Sequence, residues 1–129
     1  MATMTMTSTT HDTWGLLTLD GELDLSTSPE LSEALLALGT DHPRIAIDLR
    51  SVTFMDSTAL GVLVSTRQRS EIAGGELILH GVQPAQMKVF EVTGLADSMN
   101  FDGDGDVPQE LVDAAHQELE YPADETNEG

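Results

Sequence analysis

Three consecutive oxygen-bearing side chains, Asp56, Ser57 and Thr58, stand between an apolar lead-in (Phe54-Met55) and an apolar run (Ala59-Leu60-Gly61-Val62-Leu63). Each of the three can cap a helix N-terminus, because a side-chain oxygen there accepts a bond from a free amide of the first turn. A serine in that position also holds its hydroxyl near the positive end of the helix dipole. A phosphate added to it would find unpaired backbone N–H groups close by. The chemistry this stretch could support is phosphorylation of Ser57, acting as a switch on a protein-binding surface. Simple capping, with no modification, accounts for the same residues.

A second candidate is Asp102-Gly103-Asp104-Gly105-Asp106, whose alternating carboxylates resemble the start of a calcium loop that Glu110 or Asp113 could close. Two positions depart from that pattern. Val107 stands where the sharp turn needs Gly, and Asp113 stands where a bidentate Glu is usual. Gly and Asp are also ordinary turn residues, so no metal ligand is assigned. His80 lies near the end of a strand with no second His or Ser close in sequence to suggest a triad. With no glycine-rich phosphate loop and no nucleophile–base pair visible, the reading is of a binder without a catalytic residue or cofactor.

Composition narrows the partners. Five basic residues face 23 acidic ones, for a formal charge of −18. Nucleic acid and anionic membranes both need a positive surface, so direct binding to either is not expected. A basic protein partner fits this charge, as does solubility in a salty medium. The chain has 129 residues, enough for one domain with a real core, and no cysteine for disulfides or thiol chemistry. Its start lacks the basic flank and apolar run of a signal peptide, and no stretch is long enough to span a membrane. A cytoplasmic protein is expected.

The elements that must position these residues follow from periodicity. Residues 1–12, polar and rich in Thr and Met, read as a flexible, frayed leader. Trp14 to Leu19 reads as a strand, with Asp20-Gly21 turning into Glu22-Leu23-Asp24-Leu25. Ser28 before Pro29 starts a helix carrying Leu31, Leu35 and Leu38, with Gly39 ending it. Arg44 to Leu49 is nearly continuous in apolar character, as suits the middle of a sheet covered by helices. The central helix is expected from about Thr58 to Ala73, and Gly61 in it permits close approach of another backbone. Gly74-Gly75 leads into strand Glu76–His80, Pro84 opens a further helix ended by Gly94, and a short strand is expected near Met99–Phe101. Leu111, Val112, Ala115 and Leu119 mark a last helix over 108–119, before an acidic tail, 121–129, expected to be disordered. The domain itself spans 13–120. Alternating strands and helices give an α/β fold.

Four segments carry a family resemblance. The stretch Asp48-Leu49 … Val52-Thr53-Phe54-Met55-Asp56-Ser57-Thr58-Ala59-Leu60-Gly61-Val62-Leu63 resembles the signature of the anti-sigma factor antagonists, the soluble branch of the STAS domains. Gly21-Glu22-Leu23-Asp24, Gly74-Gly75-Glu76-Leu77 and Val92-Thr93-Gly94-Leu95 match further motifs in order, so the resemblance covers about residues 14–102. It implies a single STAS-like domain, with a mixed sheet of four or five strands packed with about four helices. It further implies a partner-switching circuit. The unmodified protein would bind an anti-sigma factor that is also a serine kinase, the kinase would phosphorylate Ser57, and a serine phosphatase would restore the binding form. Partner contacts are implied at Asp24, Asp56, Thr58, Ala59, Leu60 and Gly61. Ala59 departs from the family pattern, which usually has Gly there. Two other readings are a scaffold module in a sensory assembly and a small-ligand or calcium-binding domain.

Overall fold

The computed structural model describes residues 4–101 and 107–113. Its elements are β1 (Met4–His11), β2 (Trp14–Leu23), α1 (Ser28–Asp41), β3 (Arg44–Met55), α2 (Ser57–Ile72), β4 (Glu76–His80), α3 (Pro84–Val92) and β5 (Asn100–Phe101). The strands form one five-stranded mixed sheet in the order β1-β2-β3-β4-β5. β1 runs antiparallel to β2, and every later neighbour pair is parallel.

That order explains the layering. Parallel neighbours joined by right-handed crossovers, each stepping the same way across the sheet, place all of the crossover helices on one face. Leu31, Leu35 and Leu38 of α1, Ala59, Leu60 and Leu63 of α2 and Phe90 of α3 accordingly share one core with Leu17, Ile45, Ile47, Leu49 and Leu77. Phe90 also meets Phe101 edge to face at 5.4 Å, which ties α3 to β5. The opposite face carries a smaller cluster in which Val107, Leu111 and Val112 cover Trp14, Leu16, Ala46 and Ile78. Residues 109–113 are helical. The calcium-like run 102–106, the remainder of the expected last helix and the acidic tail lie outside the described residues.

The expected leader is instead a strand. Met4–His11 pairs along its whole length with β2, through a tight turn at Asp12-Thr13 where Asp12 takes a φ of 55°. Its Thr-rich, charge-poor character suits a pleated edge, and alternation sends Met4 and Met6 onto the main core. The Asp20-Gly21 turn is also absent, because β2 continues through both residues to Leu23. Gly21 has a φ of 126° and sits at an irregularity in the pairing with β3 rather than at a chain reversal. α1 runs through Gly39 to Asp41 and stops where Pro43 follows His42, since the residue before a proline disfavours helical geometry.

β3 has an unusual apolar rhythm. Its core-facing residues are Ile45, Ile47 and Leu49, then Val52, then Met55, so the spacing changes from two to three. The cause lies in the pairing: Thr18 opposes Asp48 but Asp20 opposes Ser51, and Gly21 opposes Val52 but Glu22 opposes Phe54. β3 therefore inserts one extra residue at each of two bulges, which restores the core face each time. Both bulges are held by side chains. Asp48, 1% exposed, accepts from the Arg50 main-chain N–H at 3.0 Å and pairs with the Arg50 guanidinium through both oxygens. Gln86 of α3, itself buried, donates its Nε2 to the Val52 carbonyl at 2.6 Å. Gly81 also lies against this pair, since a Cβ there would overlap the Arg50 stem.

Candidate functional site

The ends of β2 and β3 lie side by side. Leu23 opposes Met55, and the Asp56 N–H donates to the Leu23 carbonyl at 3.0 Å. The loops that follow, Asp24–Thr27 and Asp56, therefore leave the sheet together at the carboxyl ends of its central strands. Open parallel sheets commonly place their binding sites there.

Asp56 is the N-cap of α2, with extended backbone (φ −114°, ψ −177°), and its Oδ1 accepts from the Thr58 N–H at 2.9 Å and the Ala59 N–H at 3.3 Å. Ser57 is the first helical residue and is exposed. The geometry refines the expectation of free amides around a phosphate. One carboxylate oxygen already takes the second and third helical N–H groups, so a phosphate on Ser57 would have to share the helix end with Asp56. Replacing Asp56 by Ala removes this cap and is expected to lower stability by about 1 kcal/mol. A thermal melt of the variant beside wild type measures it.

Asp24 closes a turn of its own. Its Oδ1 accepts from the Ser26 hydroxyl at 2.7 Å, the Ser26 N–H at 3.0 Å and the Thr27 N–H at 3.2 Å. Thr27 Oγ1 donates to the Glu22 carbonyl at 2.8 Å, and Ser28 Oγ donates to the Asp24 carbonyl at 2.8 Å. Ser28 is thus not the N-cap of α1; Thr27 holds that position, with its hydroxyl turned back to the strand end. The Ser26 hydroxyl is the largest cause that holds the Asp24 pKa below the ordinary carboxylate value; desolvation opposes it next, and the backbone bonds from Thr27 and Ser26 add to the lowering. A lowered folded-state pKa means that the charged turn contributes fully above the ordinary Asp range and loses that contribution as pH falls through the folded value. Ser26→Ala is expected to raise the Asp24 titration, read from its side-chain carboxyl shift by NMR.

The expected phosphorylation site, Ser57, and the six expected partner contacts divide into two groups. Asp24, Asp56, Ser57, Thr58 and Gly61 are at least partly exposed at this end of the molecule. Ala59 and Leu60 are 0% and 3% exposed and belong to the main core, so their side chains offer a partner no surface. The helix period is the reason, because 59, 60 and 63 turn inward while 57, 58 and 61 turn outward. Gly61 has no protein atom within 4 Å of where a Cβ would lie, so the protein's own sheet makes no close approach there. The sequence reading missed two exposed apolar side chains on the same strand ends, Leu25 at 72% and Phe54 at 51%. The exposure of Leu25 gave no signal, because it continues the two-residue alternation of Leu19 and Leu23 and leaves the core only because β2 ends at Leu23.

Among the described residues no group of three or more His, Cys, Asp or Glu could hold a metal ion, and no helix is long and apolar enough to cross a membrane. The fold and this loop geometry together define a class. Residues 5–106 match the family model described as STAS domain, and the chain belongs to that family. The chain is 39% identical over 94 residues to the anti-sigma-B factor antagonist of Staphylococcus aureus (strain NCTC 8325 / PS 47), covering 72% of this chain and 87% of that protein. An anti-sigma factor antagonist from Mycobacterium paratuberculosis superposes with a TM-score of 0.71 at 26% identity, over 87% of this chain and 93% of that one. The Bacillus cell fate determinant SpoIIAA, solved in its phosphorylated form, shares the fold with a TM-score of 0.63 at 21% identity, over 86% of this chain and 99% of its own.

Proposed function

We propose that this chain is an anti-sigma factor antagonist that acts by partner switching. Unphosphorylated, it binds an anti-sigma factor serine kinase and so releases a sigma factor for transcription. Phosphorylated on Ser57 it leaves the kinase, and a serine phosphatase returns it to the binding form. It is a substrate and a binder and carries no catalytic residue of its own.

The observation that carries this reading is the exposed Ser57 hydroxyl on the first helical residue of α2, directly after a cap that fixes its direction. The relatives named above support the sigma-factor context, and the phosphorylated state of SpoIIAA supports a covalent switch on this fold. In the kinase step the γ-phosphoryl group of ATP passes to Ser57 Oγ, ADP leaves, and a kinase base takes the hydroxyl proton. Asp24, Asp56, Thr58 and Gly61 line the approach to that hydroxyl. Leu25 and Phe54, both exposed at the ends of the strands that lead into this site, supply its apolar anchors.

Incubation with the anti-sigma kinase from the same organism and ATP, followed by peptide mass spectrometry, tests the acceptor. One phosphate on Ser57 is expected, absent from Ser57→Ala. A phosphate on Thr58 instead would sink the assignment.

A further inference from the structure

The sheet has two edges of very different kinds. β5 contributes only two residues, whereas β1 offers an eight-residue edge, Met4–His11, whose outer side pairs with nothing among the described residues. Long edge strands are normally blunted by Lys, Glu, Pro or a bulge, because their free N–H and C=O groups template pairing with another chain. β1 has none of these devices. Residues 4–10 read Met-Thr-Met-Thr-Ser-Thr-Thr, without charge or proline, and the strand pairs with β2 without a register shift.

We propose that β1 is the seam of a homodimer, in which two copies pair their free edges antiparallel about a two-fold axis at Thr7. A second copy is the fitting occupant because the seam is self-complementary in charge. In a chain of formal charge −18, residues 4–10 form a stretch where two copies can meet with no like charges opposed. The axis follows from the same composition. Centring on Thr7 pairs Thr5 with Thr9 of the second copy and Met6 with Ser8 of the second copy, and it leaves the His11–Asp12 ion pair outside the seam. A centre at Ser8 would draw His11 and Asp12 into it.

An independent detail agrees with this register. Thr9 Oγ1 is buried and has no hydrogen-bond partner. Alternation puts Thr5, Thr7 and Thr9 on one face, so Thr9 stands opposite Thr5 of the second copy. A turn of the Thr9 χ1 toward the seam brings its hydroxyl, which has no partner within one copy, within reach of that Thr5 hydroxyl. Access is open on the other face, where Met6, Ser8, Ala34 and Ala37 border a shallow groove between β1 and α1. The pairing joins two five-stranded sheets into one of ten and leaves the Ser57 end of each copy free.

Such a seam is small and joins two strongly acidic bodies, so it is concentration-dependent and is strengthened by salt, which screens their repulsion. Sedimentation equilibrium of the full chain at concentrations up to about 1 mM, in low salt and in about 1 M NaCl, tests this. The expected weight-average mass rises from 13.8 kDa toward twice that value, and rises further in high salt. Thr7 is exposed, so Thr7→Lys keeps the fold, checked by circular dichroism, while it sets two ammonium groups against each other on the axis. It is expected to weaken association at least tenfold. Amide exchange in 4–10 should slow with concentration in wild type only. A constant monomer mass in every condition overturns the proposal. So does a dimer that Thr7→Lys leaves intact, or one whose slowed amides lie elsewhere.

Discussion

Ser57→Asp is expected to weaken binding to the anti-sigma factor kinase more than a hundredfold, while Ser57→Ala binds as tightly as wild type. The asymmetry follows from the cap. Asp56 Oδ1 already holds the Thr58 and Ala59 amides, so a second carboxylate on the next residue finds the positive helix end half taken. The new charge is pushed outward, into the surface proposed to receive the kinase. An unmatched charge in a desolvated interface readily costs about 3 kcal/mol, which is more than a factor of a hundred in affinity. A phosphoryl group carries about 1.5 to 2 negative charges and should act more strongly than Asp. Isothermal titration with purified kinase and the three proteins gives the ratio directly. Equal affinities would leave the fold intact as a scaffold and remove the switch.

The second large effect is expected at a buried residue that holds the first bulge of β3. Asp48→Ala should destabilise the domain by about 3 kcal/mol, the lower end of what breaking a buried ion pair costs. The lower end applies because the Arg50 side chain is 23% exposed and can recover some hydration once its partner is gone. The loss includes the acceptor of the Arg50 main-chain N–H within the first bulge. For a domain of this size the melting temperature should fall by about 10 °C. Replacing Arg50 by Leu in the same chain removes the stranded charge and should recover part of the loss, which a double-mutant cycle reports. Recovery of none of it would mean that the bulge amide, and not the ion pair, dominates.

Much of the sheet and both long helices could be read from the chain, and the misreadings share a cause. Leu31, Leu35 and Leu38 mark α1 by their spacing, and the run Arg44–Leu49 reads as a central strand because it is covered on both faces. The extent of β3 was hidden. Its core residues Val52 and Met55 follow Leu49 at intervals of three, which resembles neither a strand nor a helix until β2 is laid beside it. β1 was hidden for a different reason. Met and Thr in alternation carry little hydrophobic contrast, so only the partner strand declares them. At the site, a helix capped by one of Asp56, Ser57 and Thr58 was legible from local chemistry. The choice of Asp56 among them, the burial of Ala59 and Leu60 and the exposure of Phe54 all depend on the direction in which α2 leaves the sheet. No short window of sequence contains that direction.

The paired strands β2 and β3 work as a vernier, ten residues of one measured against twelve of the other. The two surplus residues of β3 are taken up at its two bulges, so Leu23 and Met55 still end side by side where the Ser57 loop begins. Losing one residue between Arg50 and Thr53 would turn a bulge back into plain alternation, keeping Met55 inward but removing the extra residue that Asp48 or Gln86 holds in place. Length in this stretch is therefore coupled to two side chains, Asp48 and Gln86, whose bonds have a use only while the extra residues are there.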